Sequence, residues 1–276
     1  MRSHFHCVAA GLLGLTVAAC AVSPTGRRQL ALVSEDSAIV ASQEAYAMQI
    51  GELRSAGKIV AESSNVSRRV DAITERLVAQ AVALRPETAE WQWSVEVIDE
   101  PEVVNAWCMA GGRMAIYTGL IEKLDPTDDE LAQVMAHEIS HALANHTAER
   151  MSVAIATNAG VALAGILSED AARTMSTAAV AAALAIQMPN SRTAEAEADE
   201  IGIELAAKAG YDPSAAISLW QKMASVSGGG PPEFLSTHPS PANRQQRLAE
   251  LAPQMMAYYE QARRNAPTRS IARAAE

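Results

Sequence analysis

The chain has 276 residues, of which 49% are apolar, and a formal net charge of −10. That length builds one domain with a real core, or at most two small ones. No basic run offsets the acidic balance, so a nucleic-acid partner is excluded and the surface charge serves solubility.

The first 19 residues read as a leader. MRSHF contributes Arg2, and Cys7 to Ala19 is an apolar run too short to span a bilayer but right for a secretory signal. Val17-Ala18-Ala19 before Cys20 resembles a bacterial lipobox, in which Cys20 is lipidated and becomes the new N-terminus. The alternative is an ordinary signal cut nearby. Ala21 at the second mature position, rather than aspartate, resembles outer-membrane sorting with the protein facing the periplasm. Removal of Cys7 and acylation of Cys20 leave Cys108 without a partner, so no disulfide is expected.

Residues 20–33 read as a tether, residues 34–264 as the folded domain and residues 265–276 as a disordered tail. Ser34 with Glu35 and Asp36 starts a helix running to about Arg54. Val66, Val70, Ile73, Leu77 and Ala81 form the stripe of a second helix from Asn65. From Trp91 to Val97 apolar and polar residues alternate, as in a half-buried strand. Two short strands follow, Ala106 to Ala110 and Arg113 to Tyr117, separated by Gly111-Gly112. Thr127 and Glu130 form a capping box that launches a helix to about Arg150. Alanine-rich segments near 152–167 and 171–188 read as buried helices, or otherwise as membrane-surface contacts. Thr193 opens a helix ended by Gly210, and Pro213 begins another that reaches about Val226. Gly228 to Pro232 is expected to be a flexible loop, and Ser240-Pro241 to start the last long helix.

Chemistry concentrates in AHEISHALANH, from Ala136 to His146. His137 and His141 are four apart, on one helical face, and reach one metal. Glu138 is rotated by about 100° from His137, beside a metal rather than on it, where a carboxylate serves as general base. Three protein ligands and an open position are the pattern of catalytic zinc. His146 lies five residues past His141, about half a turn off that face. Glycine and a further histidine are also missing from the metzincin positions, now Ala144 and Thr147. His146 therefore reads as packing or support. Glu195 and Asp199, again four apart, suit a third ligand and an acceptor for a ligand imidazole. Glu197 and Glu200 read as a solvated acidic face. HExxH followed by ExxxD on a second helix is the gluzincin arrangement.

At this point the chain resembles the BepA/LoiP-like periplasmic metallopeptidases, relatives of the Oma-type, HtpX and CAAX prenyl peptidases. The resemblance runs through TGRRQLALVS, NAWCMAGGRMAIYTGLI, HEISHALANHTAERMS, SRTAEAEADEIGIELAAKAGYDP and STHPSPANRQQRL. It implies one Zn2+ per chain on His137, His141 and Glu195, with Glu138 as the catalytic base. Trp107 and Ala110 stand where that family often has phenylalanine and proline, which bears on substrate fit. No helical-repeat array of the BepA branch is apparent. The resemblance also implies that Asn105, Trp107, Met109 and Gly111 form an edge strand along the cleft, to which an extended substrate adds by main-chain hydrogen bonds. His238-Pro239 and Arg244 match the family's HP…R. His238 then either donates to the oxyanion or fills zinc's fourth position as a latch, the favoured role. Arg244 and Asp199 support the ligands from outside.

The expectation is a mainly helical α+β zincin with a small mixed sheet. It is a lipid-anchored metalloendopeptidase that degrades misfolded or misassembled envelope proteins, with outer-membrane assembly machinery as a candidate partner. The competing class is a non-catalytic chaperone or assembly factor for outer-membrane proteins, which would not need Glu138.

Overall fold

The computed structural model describes residues 20–156, 177–226, 233–239 and 243–272. The expected leader, most of the alanine-rich region, the Gly228–Pro232 loop and the Ser240-Pro241 helix start lie outside them. The architecture is mostly helix with two small sheets.

Helix α1 (Glu35–Ser55) begins where expected, because the Ser34 side chain accepts the Ser37 N–H and acids fill the first turn. Helix α2 (Asn65–Leu84) is capped likewise by Ser64 and buries Val70, Ile73, Leu77 and Ala81 along one stripe. The main sheet has the order β3-β5-β4, where β3 is Ser94–Ile98, β4 Ala106–Met109 and β5 Arg113–Tyr117. β3 runs parallel to the central β5, and β4 antiparallel to it.

The half-buried strand expected from Trp91 is corrected here. β3 starts at Ser94, and all five of its residues are buried, because the sheet is a wall between two cores. Val95, Val97, Met114 and Ile116 face the larger core with α2. Ile98, Trp107, Met109 and Ala115 face a smaller one with α1. Glu96, on the α1 side, is neutralised by Arg54 at 3.2 Å. The β4–β5 turn needs its glycines. Gly111 and Gly112 have φ of 84° and 81°, and a Cβ on Gly112 would lie 2.5 Å from the Trp93 ring.

After the short α3 (Thr118–Leu124), the capping box of Thr127 and Glu130 starts α4 (Asp128–Leu143). This helix does not continue to Arg150. It stops at Leu143, Asn145 takes a left-handed φ of 57°, and α5 (His146–Ala156) sets off separately. Helix α6 (Thr177–Gln187) packs on α1 and α5, burying Val180, Ala182 and Ala185. Helix α7 (Arg192–Lys208) is capped by Ser191, not Thr193. It packs along α4, most tightly at Gly202, where a Cβ would lie 3.1 Å from the His137 backbone. Then follow α8 (Ala215–Ser225), α9 (Glu233–Thr237) and α10 (Arg244–Ala262), the last against α7. No helix among the described residues is long and apolar enough to cross a membrane.

Both terminal expectations change. The tether is a docked hairpin, with β1 (Cys20–Val22) paired antiparallel to β2 (Arg28–Leu30). Gln29 Nε2 donates to the Ala144 carbonyl at 2.7 Å, and the Val33 N–H to Ser152 Oγ at 3.0 Å. The described part of the tail, residues 265–272, docks on the domain. The N–H groups of Arg269 and Ala272 donate to the carbonyls of Glu75 and Trp93, and Ile271 packs on the larger core. Backbone pairing and one apolar anchor outweigh its polar composition.

Candidate metal centre

One helical turn brings His137 and His141 together, with their Nε2 atoms 3.1 Å apart. Glu195 reaches both from α7, with Oε2 at 3.4 Å from His137 Nε2 and Oε1 at 3.4 Å from His141 Nε2. His238 follows α9, and its Nδ1 lies 3.1 Å from Glu195 Oε1 and 3.4 Å from His137 Nε2. All four side chains are buried, and one ligand atom from each falls within a 4.8 Å group. A tetrahedral zinc with bonds near 2.0–2.1 Å separates its ligand atoms by roughly 3.3–3.4 Å. The contacts of 3.1–3.4 Å lie near that figure, and the group as a whole stays within 4.8 Å. Glu195 Oε2 is also buried without a well-formed hydrogen bond, with Arg244 Nη2 at 3.3 Å and His137 Nε2 at 3.4 Å beside it. A buried acceptor so weakly served favours a further cation.

The outer nitrogens of the candidate ligand histidines are held by different groups. His137 Nδ1 lies 3.1 Å from Asp199 Oδ1. Asp199 also accepts from Arg244 Nη2 at 2.6 Å, and the Arg244 guanidinium lies over the Trp220 ring, 3.4 Å from its centroid. His141 Nδ1 instead meets His146 Nδ1 at 2.7 Å. His146 Nε2 is 3.2 Å from Glu197 Oε2, so Glu197, expected to be solvated, is a buried partner. His238 is held by Asn190, whose Nδ2 is 3.3 Å from its Nδ1 and whose N–H donates to the Thr237 carbonyl. The Phe234 ring stacks on it at 4.3 Å.

The electrostatics follow from this packing. Burial lowers the His137 pKa, but hydrogen bonds to Asp199 and Glu195 overcome that and raise it to about 9. His141, with no carboxylate hydrogen bond, is pushed well below the usual histidine range by burial. Burial alone would raise Glu195, yet hydrogen bonds from His137 and His238 hold it well below the usual carboxylate range. Glu138 is pushed up, chiefly by burial. Its Oε1 lies 3.5 Å from His238 Nε2 and has no hydrogen-bond partner. A buried, unpartnered carboxylate oxygen beside the ligands is free to take a proton.

The proposed substrate strand is placed less uniformly. β4 is an edge of its sheet, beginning at Ala106. Asn105 precedes it and donates from Nδ2 to Glu233 Oε1 at 3.1 Å. Asn105, Trp107, Tyr117, Glu233 and Thr237 line a cavity of about 270 Å³. Met109, by contrast, is core, and Gly111 lies in the turn, where an added Cβ would meet Ile39 at 2.9 Å, so neither lines that cavity. Sequence reasoning read His146 as packing or support without finding its partners, and missed Glu197 and Asn190. Only Asn145, a residue tolerant of the left-handed region, hinted at the helix break that redirects His146.

Peptidase family M48 matches residues 64–252, which is more than half of the chain, and the chain belongs to that family. It is 38% identical over 163 residues to the mitochondrial metalloendopeptidase OMA1 of Arabidopsis thaliana, covering 57% of this chain and 31% of that protein. To the metalloendopeptidase OMA1 of Bos taurus it is 32% identical over 257 residues, covering 85% and 46%. To the beta-barrel assembly-enhancing protease of Yersinia pestis it is 32% identical over 200 residues, covering 69% and 40%. The chain thus spans less than half the length of each. Zinc is the metal of this family, and the three-imidazole, one-carboxylate set suits it.

Proposed function

From membership of peptidase family M48, we propose that this chain is a zinc-dependent metalloendopeptidase of bacterial envelope quality control. The observation that carries the reading is the buried, unpartnered Glu138 Oε1 beside four buried groups that could hold a metal. His137, His141 and Glu195 hold the metal, which when bound supplies Lewis acidity at the scissile carbonyl. Glu138 accepts the proton of the attacking water and delivers it to the departing amine nitrogen. Its raised pKa brings it closer to the working pH, as that exchange requires. Asp199, backed by Arg244, fixes the His137 ring through Nδ1.

His238 serves as a latch. Its Nδ1 sits among the ligand atoms, where it closes the fourth position, and substrate must displace it. An oxyanion donor would instead face the cleft from outside the ligand set. Asn105 and Trp107 offer extended substrates a sheet edge, a mode that selects unfolded chains over particular sequences. We further assign residues 1–19 as a lipoprotein signal and Cys20 as the lipidated residue, with the domain facing the periplasm from the outer membrane. The name of the Yersinia pestis relative, a beta-barrel assembly-enhancing protease, supports substrates in beta-barrel assembly.

Casein digestion by wild type and Glu138→Gln tests the activity. The wild type should cleave, and the variant should retain zinc but not cleave. Equal cleavage by a clean variant preparation would sink the mechanism. His238→Ala should raise basal cleavage. Membrane fractionation of Cys20→Ala should give precursor or a soluble form.

A further inference from the structure

The His141 side of the centre does not end at His146. Glu197 lies two residues past Glu195 on α7 and points away from the metal ligands, towards the N-terminal hairpin. Thr25 Oγ1 donates to its Oε1 at 2.5 Å, and Arg27 Nε donates to its Oε2 at 2.6 Å. The same Arg27 grips Glu149 of α5 with both terminal nitrogens, at 2.8 and 2.6 Å. Gln29 adds bonds to Glu149 and to the Ala144 carbonyl at the end of α4.

The protons along this path follow from one premise, the proposed ligation of His141 through Nε2. A neutral imidazole that ligates through Nε2 carries its proton on Nδ1. That N–H meets His146 Nδ1 at 2.7 Å, so His146 Nδ1 accepts. The His146 proton is then on Nε2, directed at Glu197 Oε2. Every link has one donor and one acceptor, and the path ends in a buried carboxylate neutralised by Arg27.

We propose that His146 and Glu197, held by Thr25 and Arg27, are positioning residues for the metal ligand His141, and that the N-terminal hairpin is thereby a working part of the metal centre. Without the hairpin, Glu197 would be a buried carboxylate with one neutral partner. It would turn away or take up water, and His146 would lose the acceptor that fixes its tautomer. His141 would then be free to rotate off the metal. The link also makes the centre sensitive to whatever holds or pulls the hairpin, although no hairpin residue touches a ligand atom.

The test measures zinc dissociation constants of the full chain by competition with a chromophoric chelator, alongside thermal melting of the zinc-free protein. Loss of an outer partner typically weakens metal binding by about 10–100-fold, and that is expected for His146→Ala. In His146→Gln the amide oxygen accepts from His141 and its NH2 donates to Glu197, so most of the affinity should return. Arg27→Ala and Thr25→Val, on the hairpin, should each weaken zinc by roughly 3–10-fold, less than the direct partner. A purely structural role would lower the zinc-free melting temperature and leave the zinc constant unchanged. Zinc affinity within about twofold of wild type in His146→Ala and Arg27→Ala would overturn the proposal. Glu195→Ala is the control for the premise: if it too keeps its zinc, the ligand assignment fails rather than the relay.

Discussion

His137 and His141 sit one turn apart on α4, yet their outer nitrogens are held in opposite styles. His137 is held by a single buried carboxylate, Asp199, which comes from the helix that carries Glu195 and is backed by Arg244 and Trp220. His141 is held by a second histidine, then a carboxylate, then an arginine on an N-terminal hairpin whose side chain is 20% exposed. The short arm is rigid because every member lies on α4, α7, α8 or α10 inside one core. The long arm crosses the molecule and ends near solvent. On the proposed ligation, such a centre would have one fixed ligand and one ligand whose position depends on a peripheral segment.

The largest change should come from the group that serves both arms. Glu195 reaches His137 and His141 alike, so Glu195→Ala should leave the protein without zinc after dialysis, measured by metal analysis. A full zinc complement would remove Glu195 from the ligands and dissolve the two-armed picture.

The short arm comes next. Asp199→Ala strands Arg244, only 1% exposed at its side chain, with Glu195 as its nearest carboxylate at 3.3 Å. Breaking a buried pair costs about 3–5 kcal/mol, so denaturant unfolding should show a deeper loss than for Arg27→Ala, which leaves Glu197 with two remaining hydrogen-bond donors, Thr25 and His146. Equal losses would mean that the arms differ in length but not in energetic weight.

Gly202→Ala gives a smaller effect aimed at the His137 side alone. The added methyl would sit 3.1 Å from the backbone N and Cα of His137, and helix backbone yields little. Overpacking of this kind costs about 1–3 kcal/mol. Cobalt-substituted protein should show altered d–d absorption, while the contact between His146 and His141 is kept. An unchanged spectrum with unchanged stability would show that α7 can back away from α4 without disturbing the ligands.

The two arms also differ in how far the sequence reveals them. His137, Glu138, His141, Glu195 and Asp199 fall at intervals of one or four within single helices, so helical geometry alone places them. The small mixed sheet and most helix starts were legible for similar reasons, since caps such as Ser34 and Thr127 are local signals. The long arm was legible only as far as His146, read as packing or support with no partner assigned. Helical arithmetic put His146 half a turn off the ligand face, because it assumed one helix to Arg150. The left-handed Asn145 ends that helix and brings His146 back under His141. Glu197 looked solvated because its partners, Thr25 and Arg27, lie more than 150 residues away in a segment that reads as a tether. Proline and polar residues hid the hairpin, which tertiary contacts fix: Arg27 with two acids, Thr25 with Glu197 and Gln29 with the end of α4.

The smallest expected effect concerns protons, and it separates the arms without disturbing either. In the metal-free protein His137 is raised to about 9 by its carboxylate partners, whereas His141 is pushed well below its ordinary range. At pH 7.5, therefore, His137 carries a proton and His141 does not. A group raised in the folded state stabilises the metal-free protein fully below its unfolded pKa of about 6.5, and that contribution is lost as pH climbs through about 9. Zinc needs neutral imidazoles, so its binding must expel the His137 proton. Calorimetric titration of metal-free protein in buffers of different ionisation enthalpy should report about one proton released per zinc on the His137 side, falling as pH approaches about 9. Asp199→Asn removes the main hydrogen bond that raises His137 and should cut the release at pH 7.5. His146→Gln lies on the other arm and should leave it at the wild-type value. If the two variants change proton release equally, the arms share their charge, and the contrast between a fixed and a dependent ligand must be drawn from distances alone.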